Sequence, residues 1–237
     1  MKKKMNKSTI FIFANKPILN PEKVKLFENL NSNYTVYLNS LLYLNWIEVV
    51  SSIKNNYDVY YCMNFNDKDF IPKNFFPRLK NLLLLDNNST IQLEETFKNL
   101  QLKNYTKYLF IFYNSIGISN EDINNTFNLL SIDNISITIG KARNDQLIFA
   151  GTNSIDQDFF EKLFAVRFEY DNFVEQIIKE DVFIHKITNN YLSINDFTDV
   201  KKLYIELSKK VSLAYCSEIM HERFNDLFVE YKDLLNE

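Results

Sequence analysis

Glycine is almost missing from this chain: three residues in 237, Gly117, Gly140 and Gly151. Soluble chains average about 7%. Glycine-rich phosphate loops, of the P-loop or dinucleotide-binding kind, need several glycines within a few residues. None can be written here. The glycines that remain mark positions where φ must be positive or where something packs close to the backbone. All three fall within residues 106–151, so that stretch is the first place to look for a site.

Other scarcities exclude more. Two cysteines, Cys62 and Cys216, make no disulfide framework, and a reduced cytoplasmic setting is expected. No apolar run reaches the roughly 18 residues of a membrane-spanning helix. The run 10–14 is too short for a signal peptide and ends in Asn15-Lys16-Pro17. The basic start, 1–7, reads as a solvated end. A net charge of −3 leaves no electrostatic footprint for nucleic acid. Neither a nucleic-acid nor a membrane partner is expected.

What is present is apolar and aromatic. Hydrophobic residues make up 46% of the chain and aromatics 15%, enough to build a core at this length. Asn, Lys and Ile are abundant as a compositional bias, so single Asn and Lys residues carry little weight. Apolar runs at 8–14, 57–63, 81–86, 107–113, 136–140, 146–150, 165–170 and 182–187 read as strands. Helical periodicity covers 21–31, 34–54, 90–102, 119–130, 156–164, 172–179, 199–208 and 217–236. Residues 64–78, polar with prolines, read as loop. Ser119 with Asp122 is a capping box. Strands spaced by helices predict an α/β/α sandwich with a mostly parallel, mixed sheet. Ligands of such sheets sit at the carboxyl ends of strands, and the tip after Tyr113 is such a place.

At that tip the chain reads Asn114-Ser115-Ile116-Gly117-Ile118-Ser119. After the next strand it reads Gly140-Lys141-Ala142-Arg143-Asn144-Asp145-Gln146-Leu147-Ile148-Phe149-Ala150-Gly151. These segments resemble, in length and apolar pattern, the Asp-Ser-Pro-Gly-Leu-Thr and Gly-Pro-Ala-Glu-Asp-Gly-Gly-Tyr-Tyr-Leu-Ile-Gly motifs of the selenodomain-associated transferases. Weaker echoes are Phe13-Ala14-Asn15-Lys16-Pro17 with Val24-Lys25, Ser89-Thr90-Ile91-Gln92-Leu93, and 193–200. The resemblance covers about 8–206. It implies a GT-A-like, nucleotide-diphospho-sugar transferase fold over 1–206, with a helical extension, 207–237, packed on it.

The resemblance also shows what has changed. Where the family carries acids, this chain has Asn114, Arg143, Asn144, Ser193 and Asn195. Where it has paired glycines, this chain has Asp145 and Gln146. Its Arg positions are Phe27 and Gln92. A transferase of this fold typically holds a divalent cation on carboxylates, and that set is gone. No cofactor and no divalent cation are therefore expected. A non-catalytic binding or scaffolding domain derived from a sugar-nucleotide transferase is the first reading. An active, metal-independent glycosyl- or nucleotidyl-transferase is the alternative.

No catalytic residue is assigned. The candidate substrate-binding residues are Lys16, Lys25, Asn114, Arg143, Asn144 and Asp145, with a nucleotide-sugar as the ligand. An active enzyme should show a concave cleft with Lys25 and Arg143 in it; a degenerate one should show that cleft filled by aromatic or long side chains. His185 reads as a structural strand residue, and His221 with Cys216 do not share a helix face as zinc ligands would. Asp145 with Asp196 is a weak metal pair, whereas Asp199 reads as a helix-start acid. Met220, Phe224, Leu227, Tyr231 and Leu234 form an a/d-like stripe that would pack on its own domain or support a homodimer.

Overall fold

The structure, a computed structural model, describes residues 7–14, 16–54, 57–73, 75, 78–79, 81–85, 105–130, 134–154, 159, 162–163, 170–178 and 182–236. The expected helix at 90–102 and the Ser89–Leu93 echo lie outside them. So does most of the helix and strand expected over 156–170.

At the centre of the sheet is β1 (Lys7–Phe13). It lies parallel between β2 (Asp58–Asn64) and β4 (Tyr105–Phe112). The side chains of β1 alternate between two cores, as the two-residue repeat of a strand requires. Ile10 and Ile12 enter one apolar cluster. Phe11 and Phe13 enter the other, where the Phe11 ring stacks between Tyr60 and Phe110. Burial on both faces explains why these strands read as unbroken apolar runs.

Seven strands run in the order β3-β2-β1-β4-β7-β6-β8. The outer members are β3 (Leu82–Leu85), β6 (Ser136–Lys141), β7 (Leu147–Thr152) and β8 (Phe183–Ile187). Of the seven, only β7 runs against its neighbours, pairing antiparallel with both β4 and β6. A separate two-stranded ladder joins β5 (Ser115–Ile116) to β9 (Leu192–Ser193).

One face of the sheet is covered by α1 (Ser32–Ser51) and α2 (Asn120–Leu129), the other by α3 (Tyr170–Ile177). Each of the first two begins where a side chain accepts an otherwise orphaned backbone N–H. Asn31 caps α1. Ser119 and Asp122 form both bonds of the expected capping box. Trp46, buried in α1, donates its indole N–H to Ser115 O at 3.0 Å and so ties the helix to β5. Further on come α4 (Phe197–Leu207), α5 (Glu218–Glu230) and α6 (Lys232–Asn236). No described helix is long and apolar enough to cross a membrane.

Two expectations need correction. Residues 21–31 form turns, not a helix. Lys23 and Val24 donate back to Asn20 O for one turn only, and Asn29 then takes a positive φ of 65°. The helix expected over 217–236 breaks at Tyr231 into α5 and α6. Its stripe turns inward. Met220, Phe224 and Leu227 are buried in the same cluster as α1, against which α5 packs. These three residues follow the reading in which the stripe packs on its own domain.

Two of the glycines stand where a side chain would not fit without cost. Gly117 holds φ at +99°. At Gly140 an added Cβ would lie 2.2 Å from the ring of Phe149, which is itself buried. Gly140→Ala should therefore cost about 1–3 kcal/mol through overpacking. A lowered thermal midpoint with unchanged far-UV circular dichroism would show this, and an unchanged midpoint would refute it.

Candidate functional site

Because β1 and β4 run parallel and in register, Phe13 and Phe112 end side by side. β7 starts at the same end because it runs the other way. A cleft of about 490 Å³ opens there, within the size range of small-ligand pockets. Its floor and walls include Phe13, Phe112, Tyr113, Asn114, Gln146, Leu147 and Asn39. One rim comes from the β1–α1 connection, with Lys16, Pro17, Val24 and Lys25; the other from Ser193, Ile194 and Asn195. The cleft is open, contrary to the filled one expected of a fully degenerate domain.

The charge of the lining is one-sided. Among the described residues that line the cleft, Lys16 and Lys25 are the charged ones, and none is Asp or Glu. Both lysines are exposed, and neither is ion-paired with another described residue.

Asn114 closes one end of the cleft. Its Nδ2 lies 2.9 Å from Asn195 Oδ1, 3.2 Å from Ser193 Oγ and 3.3 Å from Ile194 O. Its own carbonyl accepts Ile194 N–H at 2.8 Å, and Asn195 Nδ2 donates to Ser193 Oγ at 2.9 Å. Two amides and a hydroxyl satisfy one another here. Facing carboxylates at the same spacing would repel unless a cation lay between them. This donor set does not suit a divalent cation: its amide N–H groups point at the oxygens a metal would need, and an amide oxygen is a neutral, weaker ligand for a hard cation. Among the described residues, no group of three or more His, Cys, Asp or Glu side chains is placed to hold a metal ion.

Of the six residues expected in the site, the structure brings Lys16, Lys25 and Asn114 together. Arg143, Asn144 and Asp145 stand outside the lining because they form the β6–β7 turn. Ala142 N–H bonds Gln146 O, and Asp145 N–H bonds Ala142 O. Asp145 takes φ 61°, a left-handed position that Asp tolerates better than most residues. Its carboxylate pairs with Lys141 at 2.8 Å.

The Arg143 guanidinium lies 3.3 Å from Glu206, which also binds Lys209 at 2.7 Å and accepts from Tyr215. Burial would raise the Glu206 carboxyl, but Lys209 and Arg143 outweigh it and hold it below the usual carboxylate range. Asn144 Nδ2 donates to Ser193 O and to Asp199. Asp199 sits in the first turn of α4, as expected, and Asp196 caps that helix. His221 Nε2 meets Ser212 Oγ at 2.9 Å, not a metal group.

Sequence reasoning missed Asn39 and Asp67. Asn39 is 2% exposed in the apolar helix α1, and a polar residue inside such a run was its signal. Asp67 lies in a segment that reads as loop, and nothing local distinguishes it.

Several solved structures share this architecture. A protein assigned as a nucleotide-diphospho-sugar transferase from Desulfovibrio desulfuricans matches with a TM-score of 0.70 at 16% identity, over 98% of each chain. The chain has the nucleotide-diphospho-sugar transferase fold. A Leptospira borgpetersenii cytidylyltransferase matches with a TM-score of 0.54 at 11% identity, over 97% of this chain and 96% of that one. A 4-diphosphocytidyl-2C-methyl-D-erythritol synthase from Anaerococcus prevotii gives 0.52 at 15%, over 86% and 96%. At these identities the likeness concerns the fold alone. No protein-family model and no curated protein sequence matches the chain.

Asn114→Asp should weaken the lock, since a carboxylate cannot donate to Ile194 O, Ser193 Oγ or Asn195 Oδ1. The expected loss is about 1–3 kcal/mol at neutral pH. Those neighbouring oxygens would raise the folded-state pKa of the new acid. Its protonated form can donate again, so the deficit should shrink as pH falls through the carboxylate range. Denaturant midpoints of both proteins across pH check this; a deficit that grows on acidification would contradict it.

Proposed function

We propose that this chain binds a nucleotide-diphospho-sugar in the cleft without a divalent cation, as a non-catalytic binding or scaffolding protein diverged from the selenodomain-associated transferases. The carrying observation is the cleft lining, which among the described residues has two lysines, no carboxylate and amides at Asn114 and Asn195. A diphosphate brings negative charge, and ammonium groups on flexible stems can follow it. The position supports the same reading, because α/β sheets take ligands outside the carboxyl ends of their strands. The amides and Ser193 offer neutral hydrogen-bonding groups of the kind that would suit a sugar or base.

A second reading has one observation in its favour: the cleft is open. An active transferase could use Lys16 and Lys25 to stabilise the departing diphosphate. The two readings differ in turnover. Under the first, a bound nucleotide-sugar is recovered intact; under the second, nucleoside diphosphate accumulates when an acceptor is present.

A titration panel of UDP-, GDP-, CDP- and ADP-sugars, with and without manganese, tests the proposal. One member should bind, with affinity unchanged by manganese. Lys25→Ala should weaken it about tenfold or more, as expected for a lost charge-assisted hydrogen bond. Arg143→Ala should leave affinity within about twofold, because its guanidinium is engaged by Glu206 outside the cleft. Manganese-dependent binding, or an Arg143 effect as large as that of Lys25, would overturn the proposal.

A further inference from the structure

The cleft's two lysines sit on an irregular connection. Between β1 and α1 the described residues form neither helix nor strand, and connections of this kind are normally mobile. Lys16 and Lys25 would then point nowhere in particular. In the middle of this connection, however, Ile18 and Leu19 are almost fully buried and Asn20 nearly so.

Their backbone N–H groups converge on one side chain. Both oxygens of Asp67 accept from Ile18 N–H, at 3.1 and 2.9 Å; Oδ1 also accepts from Leu19 N–H at 2.8 Å and from Asn20 N–H at 3.0 Å. Successive backbone N–H groups curved around an anion form a nest. Here the anion is supplied by the protein itself, from the 3-10 turn Phe65–Phe70 just after β2. That turn is fixed by Asn64, whose Oδ1 accepts from Asn66 N–H at 3.0 Å and from Asn66 Nδ2 at 2.8 Å. Asn66 in turn accepts from Asn20 Nδ2 at 3.2 Å and from Lys23 Nζ at 2.6 Å. Asn39, from α1, holds Ile18 O at 3.3 Å.

Asp67 is wholly buried and is ion-paired with no described residue. A buried carboxylate without a cation is costly, and the backbone N–H groups are its compensation. Burial pushes its carboxyl above the usual value, and the bonds from Ile18, Leu19 and Asn20 pull it back. An apolar residue of similar size would avoid that cost, but it could not gather three consecutive N–H groups.

We infer that Asp67 is the positioning residue of the cleft: its carboxylate pins Ile18–Leu19–Asn20, and so sets where Lys16, just before them, and Lys25, just after, reach the ligand. The role in ligand binding rests on the proposed function above; the pinning of the backbone does not. Asp67 itself does not touch the ligand. Asn at this position keeps one acceptor oxygen but turns an NH₂ group toward Ile18 N–H, so Asp67→Asn keeps the shape while it removes the charge that strengthens all of these bonds and one of the bonds outright.

Hydrogen exchange in the ligand-free protein decides the pinning. In the wild type, the Ile18, Leu19 and Asn20 amides should exchange at core-like rates despite lying in a loop. Exchange at loop rates would overturn the inference, whatever any variant does. In Asp67→Asn these three amides should exchange about tenfold faster or more, while β1 and β4 stay protected. Unchanged rates would overturn it as well.

The positioning role is read from a double-mutant cycle on the nucleotide-sugar that the wild type binds. Asp67→Asn should weaken binding about tenfold, and Lys25→Ala should cost at most about twofold in that background. A residue that merely stabilised the fold would give additive losses, which would refute the positioning role. If the wild type binds no nucleotide-sugar, the ligand reading fails while the exchange result still stands.

Discussion

The parallel pairing of β1 with β4 is the constraint on which the rest depends. Five apolar residues of β1 and its end, Ile10 to Ala14, and the run Leu109–Phe112 are almost wholly buried. A one-residue slip would exchange the two cores, sending Phe11 and Phe13 where Ile10 and Ile12 pack. With register fixed so strictly, Phe13 and Phe112 must end together. The Lys16–Lys25 connection leaves the end of β1, and Asn114 lies just beyond the end of β4. The two therefore meet across one cleft. The site is a consequence of how two strands end.

At that meeting point, neutral hydrogen bonding joins two strand ends. The Asn114–Ser193–Asn195 group holds the β4 tip to the end of β9 through direct donor–acceptor contacts. Opposed carboxylates would need an external cation to do the same. Among the described lining residues, the formal charge is that of the lysines on the opposite rim. The cleft is polarised, positive on one side and neutral on the other. That distribution suits a ligand with an anionic end and a polyhydroxyl or heterocyclic end, and it does so without extra charge compensation.

Much of this is legible in the sequence, for identifiable reasons. Strands buried on both faces announce themselves as apolar runs, and β1, β2 and β4 lie within a residue or two of the runs that predict them. The capping box at Ser119 and Asp122 fixes the start of α2 because it needs only local spacing. The connection 21–31 reads as helix because periodicity cannot register a distant carboxylate that draws the preceding backbone N–H groups away. Asp67 is separated from Ile18 by 49 residues, and only the β1–β2 pairing brings them together. Asn39 does leave a trace, as a polar residue within an apolar helix. Asp67 leaves none, because an acid in a polar segment looks like any solvated one.

The β6–β7 turn shows why matching motif positions do not give matching roles. Asp145 stands where glycine would suit the backbone, and it keeps the left-handed φ without the glycine. The turn closes without glycine because Asp tolerates that conformation, and Lys141 neutralises its carboxylate. Arg143 pairs with Glu206, and Asn144 bridges to Ser193 and Asp199. These bonds join the turn to α4 and to the end of β9. Backbone geometry is held by many neighbours at once and changes slowly; a side chain's partner is held by one or two contacts and can be exchanged. Spacing in the sequence therefore reports the backbone of this turn more faithfully than the partners of its side chains.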